Sequence, residues 1–185
     1  MNTNNKITYE IKPNHSSRFS LAVAKTGLMK GKRHNFVFGS YHGALEFDPG
    51  NRENSKVKFV VEANSVQCQD RWLKESDRQK ILNYVINDGI IAGKYPELVF
   101  SSSVVRQKSD TTFDVRGTLT VRGISKPVSV ELSVQPGKCD NLEMMGMTNF
   151  KLSDYDIHPP TMMFGLTGTR DEIIVDFELI ATCPS

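Results

Sequence analysis

The chain has 185 residues, of which 38% are hydrophobic and 24% are charged, and its mean hydropathy is −0.35. This composition is typical of a soluble globular protein with enough interior for a core, and it excludes a largely disordered chain. The net charge of +2 is too small to indicate a nucleic-acid-binding protein, which needs clustered lysine and arginine.

The N-terminal sequence is polar and lacks the apolar segment of a secretory signal. No apolar run approaches the ~18 residues that span a bilayer. The three cysteines, Cys68, Cys139 and Cys183, are far apart in the sequence, which favours free thiols in a reducing compartment over a disulfide framework. These features predict a cytoplasmic protein without stable membrane insertion, and the absence of repeats and linkers predicts one domain over residues 1–185.

Most of the chain alternates apolar and polar residues, which is the pattern of antiparallel strands with one buried face. The alternation begins in residues 17–23, where Phe19, Leu21 and Val23 share a face. It predicts further strands at residues 35–38, 44–48, 56–63, 98–105, 111–122, 128–134, 142–152 and 173–181. About eight or more such strands must close into a barrel or a sandwich, so the sequence predicts an all-β fold.

One dense basic run lies at residues 29–34 and contains Lys30, Lys32 and Arg33. A charge run of this kind usually forms a solvated turn. Contact with an anionic head group is the alternative interpretation.

Residues 70–89 break the alternation and predict a helical segment. Asp77 is a candidate cap for a second helical piece starting at Arg78, and Gly89 is a candidate stop. A helix laid across an antiparallel barrel often closes one end of it, so we expect a helical cap. The apolar residues with roughly helical spacing are Trp72, Leu73, Ile81, Leu82, Val85 and Ile86.

Residues 153–168 contain His158-Pro159-Pro160 and predict a long loop, and long ordered loops are often functional. Asp154, Asp156 and His158 lie close together in it, so a metal or acid–base site is one hypothesis. We prefer a loop of turn-forming residues, because no histidine pair has metal-ligand spacing and no nucleophile or phosphate-binding motif is present. The sequence therefore predicts no cofactor, no metal and no catalytic residue.

Seven methionines and ten phenylalanines supply much apolar volume. Several of them cluster on a predicted strand and on the long loop, namely Met144, Met145, Met147, Met162, Met163 and Phe164. Methionine adapts to irregular apolar shapes, so these residues suit either a packed core or the wall of a lipid cavity.

The stretch LTVRGISKPV at residues 119–128 resembles the LTIRGVTKPV signature of the YceI-like family. Four further elements resemble family elements in the same order: FVFGSYHGALEFD at residues 36–48, the strand ending NSV at residues 64–66, KYPELVFSS at residues 94–102, and FKLSDYDI at residues 150–157. The resemblance implies a lipocalin-like antiparallel β-barrel of about eight strands around a polyisoprenoid or similar lipid. Two departures are the missing signal peptide and a longer helical insertion at about residues 70–88.

By this resemblance we expect a non-catalytic protein that carries a long-chain lipid, such as a polyisoprenoid, an isoprenoid quinone or a fatty-acid-like molecule. A homodimer is a weaker implication. The rival hypotheses are an enzyme using the residue 154–158 loop and a filled barrel that acts as a protein-interaction or stress-related module. The expected wall residues are Phe19, Phe36, Phe38, Phe59, Trp72, Ile81, Val85, Phe100, Met144, Met163 and Phe164.

Overall fold

The computed structural model describes residues 6–162 and 166–183. Within those ranges the chain forms mainly antiparallel strands and one α-helix, α1, at Glu75–Tyr84, which continues as a π-helical turn at Val85–Gly89. Short 3-10 helices lie at Arg52–Asn54, Ala63–Ser65 and Leu152–Tyr155. The strands are β1 Ile7–Ile11, β2 Arg18–Gly27, β3 Arg33–Phe38, β4 Tyr41–Phe47, β5 Lys56–Glu62, β6 Val66–Cys68, β7 Glu97–Gln107, β8 Thr112–Val121, β9 Ile124–Pro136, β10 Leu142–Lys151, β11 Thr161–Met162 and β12 Thr167–Thr182.

Eight strands form a closed barrel in the order β1-β4-β5-β7-β8-β9-β10-β12. The ring closes where β12 pairs with β1, with Glu10 opposite Thr182 and Ile11 opposite Ala181. Closure leaves no unpaired strand edge in the ring, and it places the apolar face of each amphipathic strand inside the barrel. The predicted antiparallel barrel of about eight strands with a helical cap is therefore confirmed.

The barrel is extended on one side by β2, β3 and β6, which follow the N-terminal part of β12. Three short connections link strands of the ring to strands of this extension. Residues 12–17 connect β1 to β2, residues 39–40 connect β3 to β4, and residues 63–65 connect β5 to β6. At each connection the chain passes between the eight-stranded ring and the extension formed by β2, β3 and β6.

The predicted apolar faces point into the barrel. Phe113, Val115 and Val121 of β8 are buried, as are Val175 and Leu179 of β12. Alternate residues on the same strands face solvent, as expected for one-sided burial.

The turn between β8 and β9 consists of Arg122 and Gly123, with φ of 52° and 74°. Two consecutive positive φ values make the tight hairpin turn whose twist matches the flanking strands, and glycine adopts this conformation without strain. The return strand starts at Ile124, four residues before the start at residue 128 predicted from sequence.

The helix is shorter than predicted and begins at Glu75 rather than Asp70. The Asp70 carboxylate is engaged elsewhere, by the backbone N–H of Asn35 and by His34 Nδ1, and this fixes residues 69–70 beside β3. The expected cap at Asp77 is also wrong, because the N-cap position is Lys74 and Asp77 lies in the first turn. The helical segment does end at Gly89.

The described parts of residues 153–168, namely 153–162 and 166–168, contain more regular structure than the loop predicted from sequence. They include most of the 3-10 helix Leu152–Tyr155, the two-residue strand β11, and the start of β12 at Thr167. Thr161 and Met162 pair with Gly168 and Thr167, so β11 and the start of β12 form an antiparallel pair.

Candidate functional site

The barrel encloses an apolar cavity of about 130 Å³. Its wall draws side chains from nine of the described strands, and all of these side chains are apolar except Thr148. The Thr148 hydroxyl already donates to the Ser129 carbonyl oxygen at 2.7 Å. The lining residues are Ile11, Phe19, Leu21, Phe38, Val57, Phe59, Val61, Leu98, Phe100, Val115, Leu119, Val121, Val128, Val130, Leu132, Met144, Thr148, Phe150, Val175, Phe177 and Leu179.

Three glycines in the wall make room for aromatic rings. A Cβ at Gly146 would lie 2.9 Å from Phe177 Cε2, and a Cβ at Gly117 would lie 2.7 Å from the Phe100 ring. Gly146 is the direct cross-strand partner of Phe177. The absence of a side chain at these positions lets each ring lie flat against the wall, and the space in the middle of the barrel stays open.

The third glycine, Gly43, lies opposite Phe59 in the β4–β5 ladder. Phe59 belongs to an aromatic cluster centred on Phe19, whose ring centroid lies 5.2 Å from Phe59, 6.0 Å from Phe38 and 6.3 Å from Phe177. Pairs at these separations attract each other beyond simple area burial. The cluster therefore fills one part of the interior and borders the cavity.

The structure brings five of the sequence-predicted wall residues together around the cavity: Phe19, Phe38, Phe59, Phe100 and Met144. Four others lie away from the lining.

Phe36 is buried in the main core, and Ile81 and Val85 pack against that core from the helical segment. Trp72 lies in the turn before α1 and stacks on His34 with ring centroids 5.7 Å apart. Met163 and Phe164 fall outside the described residues.

The wall residues that sequence reasoning did not select include Leu119, Val130, Phe150 and Phe177. All but Phe150 lie on the apolar faces that period-two alternation identifies. The position of a residue on such a face therefore predicts the wall better than its residue type. Selection by side-chain size passed over the aliphatic Leu119 and Val130, and it also left out Phe150 and Phe177, which are as large as the residues selected.

Tyr155 covers one end of the interior and is fully buried. Its hydroxyl donates to the Leu119 carbonyl oxygen at 3.4 Å, and its ring meets Phe150 edge-on at 5.4 Å. Burial raises the pKa of Tyr155 to about 12, so the phenol is neutral at physiological pH. Tyr84 of α1 donates to the His158 carbonyl oxygen at 3.3 Å, which ties the helix to the same segment. We call this end, formed by α1, residues 152–162 and the β8–β9 turn, the cap end.

A buried polar cluster lies beside β3. Asp70 is fully buried, with Oδ2 at 2.5 Å from His34 Nδ1 and Oδ1 accepting from the Asn35 backbone N–H at 2.9 Å. Lys25 of β2 is also buried; its burial lowers the pKa of the ammonium, and the negative charge of Asp70 opposes that shift. These groups balance one another electrostatically, which is how a fold tolerates charge in its interior.

The reactive groups considered from sequence do not form a catalytic arrangement among the described residues. Asp154, Asp156 and His158 are exposed, while Tyr155 and Ile157 between them are buried. Burial raises the pKa of the Cys68 thiol, which makes it a weak nucleophile. Within residues 6–162 and 166–183, no group of three or more His, Cys, Asp or Glu side chains could hold a metal ion.

Over the same described residues, no helix has the length and apolarity needed to cross a membrane.

A family model described as YceI-like domain matches residues 9–181. The chain belongs to the YceI-like family. Among YceI-like relatives, it is 30% identical over 147 residues to a UPF0312 protein of Vibrio parahaemolyticus, covering 77% of this chain and 71% of that one. It is 28% identical over 149 residues to Protein YceI of Salmonella arizonae, with the same coverage. The predicted membership of the YceI-like family is thereby confirmed.

Solved structures share the fold at low identity. The crystal structure of Burkholderia cenocepacia BcnA matches with a TM-score of 0.72 and 19% identity, covering 90% of this chain and 96% of that one. A domain from Saccharophagus degradans, described as polyisoprenoid binding and implicated in plant cell wall breakdown, matches with a TM-score of 0.70 and 15% identity, covering 95% and 98%. These likenesses establish the YceI-like barrel of this chain.

Proposed function

We propose that this protein binds and carries a long apolar molecule in the barrel interior, such as a polyisoprenoid, an isoprenoid quinone or a fatty-acid-like lipid. The observation that carries the proposal is the cavity of about 130 Å³, where the one polar lining side chain among the described residues, Thr148, already has a hydrogen-bond partner. A site without unpaired polar groups favours hydrocarbon over polar ligands. The polyisoprenoid-binding description of the Saccharophagus degradans domain supports the same ligand class.

The driving force would be the removal of hydrocarbon from water. Each buried CH₂ contributes about 0.8 kcal/mol, so a five-carbon unit contributes about 4 kcal/mol. Association and chain ordering cost about 4–15 kcal/mol, so several such units are needed for tight binding. The proposal therefore requires a long chain rather than a single small molecule.

The size of the cavity constrains how a long chain enters. An apolar cavity of about 150 Å³ holds one benzene molecule, so the present space accommodates about one isoprene-sized unit. We propose that a longer tail displaces the aromatic cluster around Phe19 and the side chains under Tyr155. In this scheme Phe19, Phe38, Phe59, Phe100 and Met144 touch the tail, while Ile81 and Val85 support the cap end.

The proposed role is binding without chemical change. Among the described residues that line the cavity, only Thr148 is polar, and its hydroxyl is already hydrogen-bonded, which supports binding without proton transfer. Cytoplasmic location and homodimer formation remain predictions from sequence.

The test compares two tryptophan substitutions. Leu119→Trp adds roughly a benzene ring of volume to the wall and is expected to fill the cavity. Val104→Trp makes a comparable addition on the same sheet, at a residue that is 44% exposed. Each variant and the wild type would be purified, extracted with organic solvent and assayed by mass spectrometry for retained lipid.

We expect the wild type and Val104→Trp to retain similar amounts of a hydrocarbon-rich molecule, and Leu119→Trp to retain at least tenfold less. Circular dichroism and the urea midpoint would establish that Leu119→Trp is folded. Equal retention by all three proteins, with Leu119→Trp folded, would contradict binding in this cavity.

A further inference from the structure

The turn between β2 and β3 carries a surface that the proposed lipid cavity does not use. Leu28 is 73% exposed and Leu166, which precedes β12, is 56% exposed. The Leu28 backbone N–H donates to the Leu166 carbonyl oxygen at 3.0 Å, so the two leucines belong to one surface. We call Leu28, Leu166 and the exposed cations Lys30, Lys32 and Arg33 the basic tip.

The charge of this surface has one sign. The sequence contains no Asp or Glu from Ile11 through Leu45. Three of the six lysine and arginine residues in that stretch lie on the tip, whereas Lys12 and Arg18 are ion-paired elsewhere and Lys25 is buried. The nearest carboxylate on the neighbouring β6 extension, Asp70, is buried against His34. Glu75, at the start of α1, is paired with Arg78. The tip therefore presents unneutralised positive charge although the whole chain has a net charge of only +2.

Exposed leucines surrounded by lysine and arginine form the combination that binds the surface of an anionic bilayer. The cations are attracted to anionic head groups, and the leucines enter the boundary between head groups and acyl chains. A nucleic acid would pair with the cations but would not cover the leucines. An acidic protein partner would also pair with the cations, but its charge would not account for two largely exposed aliphatic side chains. We propose that the basic tip docks this protein reversibly on anionic membranes.

The position of the tip relates docking to the cap end. Lys32 Nζ lies 5.6 Å from the centroid of the Trp72 ring, in the turn that leads into α1. Leu166 follows the segment that carries Tyr155 and β11. The tip therefore contacts the turn that leads into α1 and adjoins the start of β12, with which β11 pairs. A docked molecule would place the cap end towards the bilayer. The docking surface itself does not depend on which lipid the cavity holds.

The test measures binding of the full chain to vesicles by co-sedimentation. The vesicles are phosphatidylcholine alone or phosphatidylcholine with about one third phosphatidylserine. The variant K30Q/R33Q removes two cations from the tip, and K108Q/K138Q removes two exposed cations from turns at the opposite end of the barrel. A second variant, L28S/L166S, removes the apolar part of the tip without changing charge.

We expect the wild type to bind phosphatidylserine vesicles at least tenfold more tightly than phosphatidylcholine vesicles. A cation near an anionic surface is worth about fivefold in binding, so K30Q/R33Q should bind roughly twentyfold more weakly and K108Q/K138Q should match the wild type. L28S/L166S should bind about tenfold more weakly or worse. Added salt should weaken binding of the wild type.

The proposal is overturned if the wild type does not bind either vesicle, if it binds both equally, or if K30Q/R33Q and K108Q/K138Q bind alike. Retained lipid would be measured by mass spectrometry on the same preparations. If the wild type retains lipid but does not bind vesicles, membrane docking is refuted and lipid binding in the barrel is not. The two proposals can therefore fail separately.

Discussion

The glycines under the aromatic rings of the barrel wall predict that one added methyl group should disturb the cavity. In Gly146→Ala the new Cβ would lie 2.9 Å from both Phe177 Cε2 and the Glu131 carbonyl oxygen, and closer still to Phe177 Cζ. The Glu131 oxygen belongs to the backbone of β9 and cannot move without disturbing the β9–β10 ladder. The Phe177 ring must therefore move away from the wall, into the cavity.

The expected cost follows from these distances. Ordinary carbon–carbon contact needs about 3.5–4.0 Å, so the ring must shift by on the order of 1 Å and leave its preferred rotamer. Off-rotamer strain and overpacking together cost about 1–3 kcal/mol of the free energy of unfolding. The displaced ring also occupies part of a space of only about 130 Å³, so lipid retention should fall several-fold.

The matched control is Gly93→Ala, because a Cβ at Gly93 would have no neighbour within 4 Å. Urea unfolding followed by circular dichroism would give the free energy of unfolding of both variants, and solvent extraction would give their lipid content. Gly93→Ala should lie within about 0.5 kcal/mol of the wild type. If Gly146→Ala is as stable as Gly93→Ala and retains as much lipid, the role assigned to the wall glycines is wrong.

Two further substitutions test the cap end and the buried polar cluster. The unfolded tyrosine ionises near pH 10 and Tyr155 in the folded protein near pH 12, so the free energy of unfolding should fall between about pH 10 and 12. Tyr155→Phe should remove about 2 kcal/mol of that alkaline loss in a pH series of urea titrations, and an unchanged pH profile would refute the burial argument. Asp70→Asn should lower the free energy of unfolding at pH 7 by about 3 kcal/mol, because it removes the charge that faces His34 and Lys25. Asp77→Asn, at a half-exposed side chain, should change the free energy of unfolding by less than about 0.5 kcal/mol. Equal effects of Asp70→Asn and Asp77→Asn would contradict the stabilising role of the buried polar cluster.

The sequence predicts the strands well because one-sided burial leaves a period-two pattern. Nine predicted strands correspond to β2, β3, β4, β5, β7, β8, β9, β10 and β12, with ends that differ by up to six residues. The predicted set does not include β1, although its Ile7, Tyr9 and Ile11 alternate with polar residues. Its role in closing the ring depends on pairing with the far end of the chain, which no local pattern reveals.

Other features depend on tertiary contacts. The helix begins at Glu75 because Asp70 is held by His34, a residue 36 positions earlier, and the helix-like spacing around Trp72 gives no sign of that contact. The cavity depends on which alternate residues are glycine and which are aromatic, and on rings lying over glycines of neighbouring strands. The sequence therefore indicates the inward faces, while the unfilled volume between them comes from the structure.

The most direct test of lipid carriage is native mass spectrometry of the purified wild-type protein, followed by organic extraction and identification of the released molecules. We expect a mass above that of the 20.8 kDa chain by one long-chain lipid, at close to one molecule per chain, and a hydrocarbon-rich species in the extract. A mass equal to that of the chain alone, with no uptake of added isoprenoid, quinone or fatty acid, would contradict the proposal that the barrel carries a lipid.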